Sequence, residues 1–161
     1  MGWQGPLVMG GFVGIHLACL PAERRNDGLM LLASAAVGLT LDHLLAVGGW
    51  VTYVGRVRVG LIPLWLVMIW AGFGVTLRHS QSIFIRSKRA ALSLGAVCGP
   101  AAYWGGVKLE RMTVHGETAW LAIGALWMLA LVLLHAFRVR WVDEDAMGSC
   151  VPRAQGGHDA S

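Results

Sequence analysis

The chain has 161 residues, of which 56% are hydrophobic and 14% charged, and its formal net charge is +4. Soluble domains carry about a quarter charged residues, and a chain this short cannot enclose so much apolar surface in one core. An ordinary soluble domain is thereby excluded, and basic residues scattered between apolar runs exclude a nucleic-acid-binding face.

Five apolar runs follow in chain order, at about 6–20, 28–47, 61–77, 90–107 and 118–137. Each approaches the ~20 residues a spanning helix needs, and none alternates with the period of two that a barrel strand requires. The expected fold is therefore all-α, a polytopic transmembrane bundle of about five helices occupying residues 1–141. Residues 142–161 lack an apolar period and read as a disordered cytoplasmic tail. Cys19, Cys98 and Cys150 are too few and too far apart for a disulfide framework or a zinc site. No metal is expected.

Orientation follows from the Lys and Arg count in short loops. Arg56, Arg58, Lys108 and Arg111 fall on one side; Arg24, Arg25, Arg78, Arg86, Lys88, Arg89, Arg138, Arg140 and Arg153 fall on the other. Nine against four makes the second side cytoplasmic, with the C-terminus inside.

The one acidic residue within an apolar run is Asp42. A carboxylate in hydrocarbon costs several kcal/mol unless it is received by a partner or water. Ala35, Gly38, Ala46 and Gly49 share its helix face, and small residues allow close helix approach, so Asp42 is expected to face other helices. Gly95, Gly99, Tyr103 and Gly106 form a similar stripe on the fourth run, where Pro100 is expected to kink the helix and free the Ala96 carbonyl. Asp42 lies five residues, about 7.5 Å, before the end of its run, and Tyr103 lies at similar depth. The two are expected to be neighbours with Trp65 beside them. A hydrogen bond fixing helix packing is the plain reading, and a proton relay or ligand pocket formed by Asp42, His43, Trp65 and Tyr103 is the sharper one.

At the cytoplasmic end, Arg78, His79, Ser80, Arg86, Lys88 and Arg89 make the most basic loop. It suits attraction to anionic lipid, with a phosphate head-group site as the sharper alternative. Haem would need two histidines on facing helices at matched depth. By depth His16, His79 and His135 are cytoplasmic-side and His43 and His115 exterior-side, and nothing in the sequence fixes such a pair. No cofactor is expected.

Leu61 to Ser80, with Pro63, Trp65, Trp70, Thr76, His79 and Ser80, followed by Gly99, Pro100 and Tyr103, resembles a bacterial integral-membrane family classed as a domain of unknown function. Leu41-Asp42 also looks like that family's Leu-Asp pair. The resemblance implies an inner-membrane location and a setting among genes for membrane-lipid modification. In that family a further apolar helix precedes the Gly-Pro-Leu segment, so the expected ancestral form has six helices with both ends cytoplasmic. The expected function is an accessory or small-ligand-binding protein of membrane-lipid or envelope metabolism. Membrane lipids, and other membrane proteins of a lipid-modification pathway, are its expected partners. An intramembrane lipid-modifying enzyme using Asp42 and Tyr103 is the alternative, and a transporter the third.

Overall fold

In the computed structural model, which describes residues 3–142, each apolar run carries one helix. They are α1 (Gln4–Cys19), α2 (Arg24–Val47), α3 (Leu64–Leu77), α4 (Lys88–Lys108) and α5 (Glu117–Phe137). A 3-10 turn at Pro21–Glu23 leads into α2, a second at Ser82–Ile85 precedes α4, and α5 widens into a π turn at Arg138–Val142. Apart from Val142, the tail expected from residue 142 onward lies outside the described residues.

The all-α expectation needs one correction. The loops after α2 and α4 meet in a two-stranded antiparallel pair, β1 (Val51–Tyr53) with β4 (Met112–Val114), in which Thr52 faces Thr113. Between them in sequence, β2 (Arg58–Val59) and β3 (Ile62–Pro63) form a short hairpin. Val-Thr-Tyr and Met-Thr-Val are β-branched and aromatic alternations that suit a half-buried strand. The chain is thus mostly helical, with a small β cap at one end.

Local chemistry explains the helix starts. Ser87 sits in extended conformation before α4, and its hydroxyl accepts the Ala90 N–H at 3.2 Å, the usual role of an N-cap serine. Pro63 ends β3 in extended conformation and so delivers α3 without disturbing its hydrogen bonds. Pro100 lies inside α4, which runs unbroken from Lys88 to Lys108. The Ala96 carbonyl, which has no amide from Pro100, looks toward Gly124 of α5.

Helix α2 packs on α3 and α5, α4 packs on α5, and α1 lies against α3. Glycines set these distances. A side chain at Gly95 would meet the Met128 backbone at 2.8 Å, and one at Gly99 would collide with the Trp127 ring, so α4 and α5 cross at this Gly-x-x-x-Gly pair. On α2, Gly38 lies flat against the Trp70 indole. Gly38→Ala is therefore expected to push Trp70 out of place at about 1–3 kcal/mol, measured as a lower thermal unfolding midpoint in detergent.

The core divides between two ends. Leu41, Leu45, Val51, Tyr53, Ile62, Trp70, Tyr103 and Met112 are buried together near the β cap. Met30, Leu77, Ile85, Leu131 and Leu134 are buried at the opposite end, where α2 and α4 begin and α3 and α5 finish. That second end is the basic one. Two helical stretches, Pro21–Val47 (27 residues) and Glu117–Val142 (26 residues), are long and apolar enough to cross a membrane.

Candidate functional site

Each end of the bundle holds one buried carboxyl group. At the β-cap end, Asp42 is fully buried. Its Oδ1 accepts hydrogen bonds from the hydroxyls of Tyr103 and Tyr53, the latter at 2.9 Å, and its Oδ2 accepts the Trp70 indole N–H at 2.8 Å. The two tyrosine oxygens are 3.3 Å apart. Three uncharged donors from three elements, β1, α3 and α4, thus close around one group of α2. Burial pushes the Tyr53 phenol well above its usual range, and the neighbouring Asp42 adds to that, so Tyr53 keeps its proton and remains a donor.

Asp42 and Tyr103 are the neighbours that helix depth implied. Trp65 is elsewhere: its N–H donates to the Val54 carbonyl at 3.0 Å, and Trp70 takes the place expected of it. His43 packs on Gly60 of the β2–β3 turn instead of joining the cluster. Tyr53 and Trp70 are the partners that reading the sequence missed.

At the basic end, Asp27 in the first turn of α2 is also fully buried. Arg78, just past α3, donates to Asp27 Oδ1 at 2.6 Å and to Glu23 at 2.7 Å. The Nε2 atoms of His16 and His79 lie 2.9 and 3.1 Å from Asp27 Oδ2. The two imidazoles sit edge to face with centroids 5.1 Å apart. They share one carboxylate between them.

The sequence reading misses this second cluster because the second apolar run begins at Gly28 and leaves Asp27 outside it. The signal was present. His16 near the end of α1 and Asp27 near the start of α2 flank a tight turn, so an antiparallel pair brings them level, and His79 lies at the same depth. The six residues of the expected head-group set are therefore divided. Arg78 and His79 bond to Asp27, His79 while itself exposed, whereas Ser80, Arg86, Lys88 and Arg89 are exposed and outside the cluster. His135 joins neither group and faces the Ile85 carbonyl at 2.8 Å.

A third feature is an apolar groove of about 480 Å³ between α1, α3 and the β cap, walled by Pro6, Val8, Met9, Trp65 and Ile69, with Arg111 among its lining residues. Asp42 is not part of its wall.

No curated protein and no solved structure gives a match to the chain. Residues 1–133, which hold both carboxyl clusters and the groove, match the family described as Protein of unknown function (DUF2878), and the chain belongs to that family.

Proposed function

We propose that the protein is a multi-pass helical protein of the bacterial inner membrane, its C-terminus cytoplasmic, that serves membrane-lipid or envelope metabolism as an accessory which holds a lipid. The membrane part rests on what the helices expose. Only 33% and 28% of the apolar windows of the two long helices are buried, whereas the core helix of a soluble protein hides most of its apolar face. Leu7, Val8, Ile15, Leu32, Val47, Val97 and Leu121 stand on the surface. Arg24, Arg25, Arg86, Lys88, Arg89, Arg138 and Arg140 mark one end of the bundle, and short basic loops stay in the cytoplasm.

The groove carries the lipid part. It has an apolar wall built from α1, α3 and the β cap, the form expected of a site for an acyl chain in a bilayer. The closure of Asp42 favours an accessory over an enzyme built on that residue. All three of its partners are hydrogen-bond donors that stabilise a fixed arrangement, which suits a packing bond.

Ile69→Trp would fill the groove without touching either carboxyl cluster. Mass spectrometry of protein extracted in a mild detergent is expected to find a bound lipid on the wild type and its loss in Ile69→Trp. In a deletion strain, wild type is expected to restore the membrane lipid profile and Ile69→Trp to fail. An unchanged profile in the deletion strain would refute the lipid reading.

A further inference from the structure

The geometry points to a binding site for a divalent first-row transition metal ion at His16, Asp27 and His79; we propose that these three residues are its protein ligands. The inference is independent of the lipid-binding groove and lies at the other end of the bundle. One ligand atom from each residue falls within 4.8 Å of the other two. In a tetrahedral site with metal–ligand bonds of about 2.0–2.2 Å, neighbouring ligand atoms are about 3.3–3.6 Å apart. His16 Nε2 and His79 Nε2 already lie 2.9 and 3.1 Å from Asp27 Oδ2, so only a small outward movement admits an ion.

The ligand set is chemically selective. Two imidazoles and one carboxylate suit zinc, iron, manganese or cobalt and leave coordination positions open, whereas calcium and magnesium prefer oxygen alone. The three ligands come from different elements, the end of α1, the start of α2 and the segment after α3. An ion would therefore tie α1, the helix at the edge of the bundle, to α2 and α3. Access comes from the basic end, where the His79 side chain is 34% exposed and that of His16 17%.

Arg78 is the evident objection, since a guanidinium repels a cation. The guanidinium binds Oδ1 of Asp27 and Glu23 neutralises its other arm at 2.7 Å; both imidazoles reach Oδ2, and His79 Nε2 also lies 3.2 Å from Oδ1. Asp27, Glu23 and Arg78 together leave one net negative charge beside the two imidazoles. A metal-bound carboxylate is commonly oriented by a further hydrogen bond of this sort.

The test uses the full-length protein without a histidine tag, in detergent, stripped with a chelator and titrated separately with Zn²⁺, Mn²⁺ and Co²⁺. Saturable binding of one ion per chain is expected for at least one of them. X-ray absorption of that loaded wild type should show two imidazoles and an oxygen ligand. His16→Gln and His79→Gln should each abolish saturable binding, and His43→Gln at the opposite end should leave it intact. Glu23→Gln, which keeps all three ligands, should weaken binding about 10–100-fold by freeing the Arg78 charge. Failure of the wild type to bind any of the three ions would overturn the proposal. So would imidazole-free coordination, read on the wild type and thus independent of how well any variant folds.

Discussion

Asp42→Asn is expected to lower stability by about 1–3 kcal/mol and still support function, whereas Asp42→Ala should lose more than that and fail to accumulate. Asparagine keeps one oxygen, which can serve Tyr53 and Tyr103 at the Oδ1 position. Its amide then points an N–H group at the Trp70 N–H, which in the wild type donates to Oδ2 at 2.8 Å. The Trp70 N–H and the amide N–H that faces it are then both unmet, and leaving a buried donor unmet usually costs about 1–3 kcal/mol. Alanine removes the acceptor for all three donors at once. Trp70→Phe breaks the same contact from the other side, so it and Asp42→Asn should be non-additive. The double variant is expected to lose less than the sum of the singles, read as thermal unfolding in detergent. Full additivity would mean that the Trp70–Asp42 bond contributes nothing. Lipid profiles of the complemented deletion strain supply the second readout. If Asp42→Asn is well folded yet inactive, Asp42 handles protons and the packing role is wrong.

The five helices and the inward turn of Asp42 could be read from the sequence because both depend on local periodicity. Apolar runs mark helices, and the spacing of Gly38 to Asp42 puts a small residue one turn below the carboxyl. The choice of Trp65 over Trp70 failed on side-chain direction. In a helix the Cα–Cβ bond tilts toward the N-terminus, and α3 starts at the β-cap end. Trp70, deeper by its backbone position, therefore reaches back up over Gly38 to Asp42. Trp65, in the first turn, points beyond the helix to Val54. Tyr53 was hidden for another reason. It sits in β1, which exists only by pairing with β4 some sixty residues later, and no local pattern reports a partner that distant. The Asp27 cluster is similarly non-local, since His16, Asp27 and Arg78 come from three elements. Its discovery from sequence would have required starting α2 four residues earlier.

Removing Asp27 should be the most damaging single change at the basic end. Asp27→Ala, measured in chelator so that no metal contributes, is expected to cost about 3–5 kcal/mol, the usual range for breaking a buried ion pair. The reason lies in what remains. The Arg78 side chain is 17% exposed and among the described residues would keep Glu23, whose own side chain is 43% exposed and so partly screened by solvent. His16 and His79 would lose their shared acceptor at the same time. Two comparisons separate the stranded charge from a simple loss of volume. Asp27→Asn keeps an acceptor for the histidines and should fall between alanine and wild type. Asp27→Ala combined with Arg78→Met removes both charges, and replacing a buried pair by apolar groups is often close to neutral. The double variant should therefore be more stable than Asp27→Ala alone, by thermal unfolding under the same conditions. If adding Arg78→Met instead deepens the loss, Arg78 has a stabilising partner other than Asp27 and Glu23, and the ion pair is not what holds this end of the bundle together.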